Sequence, residues 1–491
     1  MTTKMCLGDD ATMTIDTMIK RIRNIMRQDA GVDGDAQRIS QLVWILFLKV
    51  YDAQEQFWEF AEDDFESIIP EECRWRNWAV DEKDGNALTG DDLIDFVENT
   101  LFPTLKSLEV DELTDKRKSI VKYVFEDANN YMKNGILLRQ VINVIDEVDF
   151  TENEERHAFN DIYESILKEL QSAGSAGEFY TPRAVTDFMV DILQPQVGEK
   201  IADFACGTGG FLISALKYMT NQIKTPEDRE LVQSNLYGVE KKPLPYLLAI
   251  TNMILHDIDA PNIVHGNSLA RNVRDYGENE KADVILMNPP YGGVEEDSIQ
   301  VNFPTALQSS ETADLFMTLI LYRLKRNGRV GIVLPNSFLF GDDRAKITIK
   351  ERLLKECNLH TIVRLPEGVF SPYTSIETNL LFFDKTGPTK EIWYFEHPLP
   401  EGYARYSKTR PLRYLEFNLE KEWWNKRVEN EHAWKVSVEE VKKSNYNLDI
   451  NNPHTKDEEV EQKSALEMIR KLKTSQEKVF DIINELENDL S

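Results

Sequence analysis

Apolar positions recur three and four apart through the first third of the chain. Beyond it they give way to short continuous apolar runs that stop at glycine, asparagine or proline. Ile15, Met18, Ile19, Ile22 and Ile25 keep helical spacing, and Leu42, Ile45, Leu46 and Val50 repeat it between Arg38 and Phe60. The spacing predicts helices from about Ala11 to Phe60, then turns at Ile69-Pro70, Asp84-Gly85 and Thr89-Gly90. Further helices are expected over Asp91 to Leu108 and Asp115 to Val148. Residues 1–165 therefore read as a helical domain without a catalytic cluster, with Trp44, Phe47, Tyr51, Phe57 and Trp58 expected in its core.

Gln171 to Gly177, small and glycine-rich, reads as a linker. The pattern then changes period. A short strand opens at Ile201 ahead of a glycine turn, and apolar runs at Leu236 to Val239, Ile263-Val264, Ala282 to Met287 and Gly328 to Leu334 read as further strands. Helical patterns at Ile213 to Met219, Pro245 to His256 and Ala313 to Lys325 separate them. Thr361 to Leu365 and Thr378 to Phe383 follow as two more strands, closer together. Such β-α alternation builds a parallel sheet, and the closely spaced strands predict an antiparallel edge. The expected α/β domain spans 166–400. In the remaining 401–491, the positions Ile469, Leu472, Gln476, Val479, Ile483, Leu486 and Leu490 alternate four and three apart. This predicts a coiled-coil-like helix over 458–490, set apart by Pro453, with one polar seam position and a stripe that either docks on a partner helix or packs on the chain's own body.

Charge changes the picture. The 491 residues carry 57 Lys and Arg against 85 Asp and Glu, a net charge of −28. Phosphate neutralisation supplies most non-specific affinity for nucleic acid, so the chain alone is expected to hold DNA poorly and to need a partner for that. Cys6, Cys73, Cys206 and Cys357 lack paired spacing, and His256 and His265 lack metal-ligand spacing, so neither disulfides nor a metal site are expected. No signal peptide or membrane span is apparent, and a cytoplasmic location is expected.

The chemistry concentrates where strands end. Asn288-Pro289-Pro290-Tyr291 closes the run Ala282 to Met287. Neither proline can donate to a sheet ladder, which leaves an amide, two free carbonyls and an aromatic ring at the carboxyl end of a buried strand. That end is where open α/β sheets bind ligands. The Asn288 oxygen and the Pro289 carbonyl suit acceptance of both hydrogens of a conjugated NH2 group, and Tyr291 suits stacking on its ring. The same four residues also describe a Pro-Pro turn with a capping Asn. Asp203 precedes the turn Cys206-Gly207-Thr208-Gly209-Gly210, placed to meet a ligand's ammonium group where glycines admit close approach. The third place of the dinucleotide fingerprint holds Leu212, so that fingerprint is not matched. Glu240 ends the second strand, where an acid accepts from ribose hydroxyls, and Asn267 follows the third, where it either reaches an adenine amino group or simply turns the chain. Pro182 near a helix start makes Thr181 the expected N-cap.

Taken in order, Phe179-Tyr180-Thr181-Pro182, Ala205 to Phe211 and Asn288 to Tyr291 resemble the amino-methyltransferases that use S-adenosylmethionine, in the gamma order of N6-adenine DNA methyltransferases. With the helical first domain, Glu178 to Arg183, Leu365 to Phe370 and Thr378 to Phe383, the chain resembles the modification subunit of type I restriction–modification systems. The resemblance implies a Rossmann-like methyltransferase sheet and transfer of a methyl group to adenine N6. It places Glu178, Phe179, Tyr180, Thr181, Pro182, Arg183, Thr208, Gly209, Gly210 and Glu240 around the cofactor and makes Asn288 to Tyr291 the catalytic motif. The implied partners are a specificity subunit that chooses the target, a second copy of this chain, a restriction subunit, and duplex DNA with a flipped adenine. Two other readings stay open on the residues: an N5-glutamine protein methyltransferase, whose primary amide offers the same NH2, and a catalytically silent scaffold.

Overall fold

The computed structural model describes residues 10–80, 87–111, 113–148, 160, 163–167, 180–454 and 473. The linker 171–177 and the coiled-coil-like helix expected over 458–490 lie outside the described residues, Lys473 excepted.

The helical part is built on the helix Gly34–Ala61, whose residues Trp44, Phe47, Tyr51 and Trp58 are buried. Their three-to-four spacing makes one stripe, along which Trp44 meets Phe102 edge-on at 5.1 Å and Tyr51 meets Trp58 at 5.8 Å. Phe57, expected in this core, is 61% exposed. It neighbours Trp58, and one residue along a helix turns the side chain about 100° off the stripe. The stretch expected as one helix over Asp91 to Leu108 runs as Gly90–Phe96, a wider π turn at Val97–Leu101, and Phe102–Lys106. The widening sits just before Pro103, which has no N–H to give the preceding turn.

Nine strands form one sheet: β1 (Ile201–Asp203), β2 (Leu236–Glu240), β3 (Asn262–His265), β4 (Ala282–Met287), β5 (Leu324–Pro335), β6 (Asn358–Arg364), β7 (Thr378–Asp384), β8 (Glu391–Glu396) and β9 (Ala433–Ser437). The order is β3-β2-β1-β4-β5-β7-β6-β8-β9. β3 through β5 are parallel, β7 runs antiparallel between β5 and β6, β8 is parallel to β6, and β9 closes the edge antiparallel to β8. The mixed sheet and its antiparallel part agree with the sequence pattern; β8 and β9 extend it further than expected. The helix read over Ala313 to Lys325 is Thr312–Arg323, because Leu324 and Lys325 already belong to β5. Among the described residues, no helix is long and apolar enough to cross a membrane.

Strand order in the sheet reverses between the parallel neighbours β1 and β4, which opens a crevice at their carboxyl ends. The helical part braces the β2–β3 side. Gln54 donates to Asp259 at 2.7 Å, the Tyr163 hydroxyl donates to the Leu248 carbonyl at 2.9 Å, and His265 lies 3.6 Å from Asp127. On the other side the buried ammonium of Lys346 meets Glu311 at 2.7 Å, Asp314 at 3.3 Å and Asp343 at 3.5 Å. This knot pins the start of the helix Thr312–Arg323. Lys346→Met would strand the buried Asp314 carboxylate, so the variant is expected to lose roughly 3 kcal/mol of stability in urea denaturation.

Candidate active site

Thr181, Asp203, Gly207, Thr208, Gly210, Glu240, Asn267, Asn288 and Pro290 all line one cleft of about 260 Å³. It opens where the carboxyl ends of β1, β2, β3 and β4 converge. β1 pairs with β2 on one side and β4 on the other, so Asp203, Glu240 and Asn288 stand at the ends of adjacent strands.

Asp203 is fully buried, and its Oδ1 accepts the Ala205 N–H at 3.1 Å. Burial first, then the neighbouring Glu240, pushes its carboxyl up to about 8 against that one hydrogen bond. A cation placed beside such a carboxyl favours its charged form and draws off the proton that burial keeps on it. Past Asp203 the chain turns through Gly207 and Gly209 at φ 54 and 78, a conformation costly for other residues. Gly209 caps the helix Gly210–Thr220, and a Cβ on Gly210 would stand 2.6 Å from the Arg183 guanidinium. The Glu240 carboxylate braces the same turn. One oxygen accepts the Gly207 N–H at 2.9 Å and the other accepts the Lys242 N–H at 2.7 Å. Asn267 uses its side-chain oxygen to accept the Leu269 N–H at 2.9 Å, which leaves its NH2 as the group to offer the cleft.

The Asn288 carboxamide is held at both ends. Its Nδ2 donates to Thr181 Oγ1 at 3.0 Å, and its Oδ1 accepts from the Tyr291 hydroxyl. Thr181 therefore does not cap the next helix: Arg183–Leu193 begins from Pro182 with no side-chain cap, and the threonine hydroxyl faces Asn288 instead. Tyr291 does not line the cleft; its ring meets Phe370 edge-on at 6.2 Å, and burial drives its hydroxyl far above the usual tyrosine range.

The other expected residues lie around this core. Tyr180 is buried, its hydroxyl pushed up to about 12 by burial, and Arg183 pairs with Glu164 behind the glycine turn rather than in the cleft. Pro182 and Gly209 shape the backbone, and Pro289 is buried beneath the motif. Glu178 and Phe179 lie outside the described residues. Sequence reasoning passed over Phe211, Ser268, Glu295, Thr312 and Phe316, which also line the cleft. Only the position of Phe211 directly after the glycine turn signalled its place. Thr312 reaches the site because the loop after Tyr291 closes on itself, with the Thr312 N–H donating to the Gly293 carbonyl at 3.0 Å.

Residues 154–462 match the family described as N-6 DNA Methylase, and residues 15–145 match the HsdM N-terminal domain. The chain is 50% identical over 487 residues to the type I restriction enzyme EcoEI methylase subunit of Escherichia coli, covering 97% of this chain and 98% of that one. The chain belongs to the methylase subunits of type I restriction enzymes. Among solved structures, the subunit is similar to a modification subunit of a putative type I restriction enzyme from Vibrio vulnificus YJ016, at 42% identity and a TM-score of 0.80, over 92% of this chain and 99% of that one. It is also similar to a chain from work on complex assembly and conformational transition of the type I restriction–modification system, at 37% identity and a TM-score of 0.82, over 97% and 98% of the two chains. The subunit is thus a DNA methyltransferase specific for adenine N6, and its kind works in a complex with other subunits and DNA.

Proposed function

We propose that the cleft takes S-adenosylmethionine on the Asp203–Glu240 side and a flipped adenine on the Asn288 side. The observation that carries this is the placement of a buried, cation-seeking Asp203 and the polar end of Asn288-Pro289-Pro290 on adjoining strands of one cleft. Asp203 suits the cofactor's ammonium group, Glu240 its ribose hydroxyls, and Asn267 and the glycine turn its adenosine end. Bound there, the cofactor supplies an electrophilic methyl group.

The chain's own residues then have to present the nitrogen. Adenine N6 is a poor nucleophile because its lone pair is conjugated with the ring. Acceptance of its two N–H bonds by Asn288 Oδ1 and the Pro289 carbonyl pulls the nitrogen towards tetrahedral geometry and localises that pair. Much of the rate then comes from holding nitrogen and methyl in line. The base must leave the duplex, which costs a few kcal/mol, and stacking on an aromatic side chain returns about 1–3 kcal/mol. Tyr291 serves as that surface once its hydroxyl releases Asn288 Oδ1 and its ring swings off Phe370.

The release gives a specific expectation. Tyr291→Phe removes the hydroxyl that competes for Oδ1 but keeps the ring, so transfer is expected at or above the wild-type rate. Tyr291→Ala is expected to lower it at least tenfold by loss of about 1–3 kcal/mol of stacking. Single-turnover kinetics on both variants check the pair.

Target choice falls to a separate specificity subunit, and assembly with a second copy and a restriction subunit follows the same reading. Strong acidity of the chain supports it, since a basic partner then has to hold the duplex. The test is transfer of tritiated methyl groups by the chain co-expressed with its specificity subunit. Label is expected on N6 of adenine in unmethylated duplex DNA. Label on glutamine of a protein substrate, or no label on DNA, would overturn the reading.

A further inference from the structure

We propose that the hairpin turn Ser407 to Arg410 and its flanking arginines form a phosphate-contacting surface that grips duplex DNA beside the catalytic cleft. The proposal rests on the DNA methyltransferase reading and adds where this acidic chain itself touches the backbone.

Between Glu401 and Glu416 the sequence has Arg405, Lys408, Arg410 and Arg413 and no acidic residue. The stretch leaves β8, which is parallel to β6, and so emerges on the same sheet edge as the catalytic motif after β4. Four strand spacings separate β4 from β8, on the order of 20 Å, enough to reach past a major groove about 12 Å wide to its phosphates.

The turn is also built to stay in place. Ser407 and Arg410 exchange backbone hydrogen bonds at 3.0 and 3.1 Å, which puts Lys408 and Thr409 at the tip. Tyr406 just before it is fully buried, and its hydroxyl meets His397 at 3.0 Å and Glu416 at 3.1 Å. Its N–H donates to the Glu367 carbonyl at 3.1 Å, and its carbonyl would lie 2.2 Å from any Cβ on Gly368, whose φ is 87. Two residues further on, Phe370 packs on Tyr291. A short, rigid path thus joins the basic turn to the catalytic motif.

Its charges are presented outward. Arg405 and Arg413 remain 62% and 72% exposed beside Glu367 and Glu416. Lys408 and Arg410 are exposed and have no carboxylate partner among the described residues; Arg410 rests 5.2 Å from the Tyr403 ring. Fixed, exposed and unneutralised, these two cations match phosphates rather than bases, so they contribute affinity without sequence choice.

The experiment uses the chain assembled with its specificity subunit and compares wild type with Lys408→Ala/Arg410→Ala. Arg326→Ala is the control, an exposed charge at the amino end of β5 on the opposite edge. Fluorescence anisotropy on a labelled duplex is expected to give a log-affinity against log-salt slope shallower by about 2 for the double variant. A rise from about 50 to 200 mM salt should then cost it about tenfold less affinity than wild type. The KM for DNA should rise about tenfold while kcat at saturating DNA and cofactor affinity stay put, and the control should change nothing. A charge reversal, Lys408→Glu, should deepen the loss. An unchanged slope and KM would overturn the proposal. So would weakened subunit assembly with unaltered DNA affinity, since the turn would then face protein. Absence of transfer by the wild-type complex would instead overturn the underlying methyltransferase reading.

Discussion

Replacement of Asn288 by alanine is expected to abolish methyl transfer while cofactor binding survives. The alanine cannot accept from the adenine amino group, so nitrogen keeps its lone pair in the ring and the in-line geometry is lost. A single preorganised hydrogen-bonding group at a transition state is worth roughly 10²–10³ in rate. Here the loss should be at least that large, because the Pro289 carbonyl alone cannot engage both hydrogens. The side proposed for the cofactor comprises Asp203, the glycine turn and Glu240, and the Asn288 side chain bonds to Thr181 and Tyr291 instead, so affinity there should stay within a few-fold. Thr181 sharpens the expectation. Its hydroxyl takes the Nδ2 end of the carboxamide, which leaves Oδ1 as the end that faces Tyr291 and that the proposed reading turns to the amine. Single-turnover transfer with saturating DNA and cofactor is the measurement, with calorimetry for binding; a rate within tenfold of wild type would rule out the role.

Asp203→Asn is expected to separate binding from stability with opposite signs. The folded carboxyl titrates at about 8, raised above its ordinary range by burial and by Glu240. A raised carboxyl pKa favours folding fully below the ordinary carboxylate range. That contribution is lost as pH climbs towards about 8, since above it the folded chain must hold a buried anion. Asparagine removes the burden and can still accept the Ala205 N–H, so the ligand-free variant should melt several degrees higher at pH 8 and almost level with wild type near pH 4. Cofactor binding should behave in the reverse way. A cation beside Asp203 draws off its proton, so wild-type affinity should fall as pH drops below about 8, by at most tenfold per unit. The cofactor's own α-amino group loses its charge at about 8, which makes the wild-type profile peak there. The variant should bind weakly and lack the acid limb. Calorimetry in buffers of different ionisation heat measures the proton released at pH 7; no release and a flat profile would remove Asp203 from the cofactor's ammonium.

Much of this protein was legible before any coordinates. The periods of its apolar positions separate a helical part from an α/β part, because helix and strand bury every third-to-fourth and every second residue respectively. β4 was bounded to the residue, since Ala282 opens an apolar run and the two prolines end it. Strand-end positions also placed Asp203, Glu240 and Asn288 at one rim, as parallel strands with right-handed crossovers bring successive carboxyl ends to the same edge. Short local rules were weaker where two signals overlapped. Pro182 promised a helix start and Thr181 its cap, but the hydroxyl found a better partner 107 positions away.

What only the tertiary structure decided are the pairings across large sequence separation. The Thr181–Asn288–Tyr291 chain, the knot of Lys346 with Glu311 and Asp314, and the seating of Tyr406 against Gly368 leave no periodic trace, because each needs a single side chain at one spot rather than a repeated face. The strands β8 and β9 belong here too: pairing with β6 and with each other makes them part of the sheet. The pKa of Asp203 follows the same logic. Composition names a carboxylate, but its character comes from the water that the fold excludes, and exclusion is a property of everything packed around it.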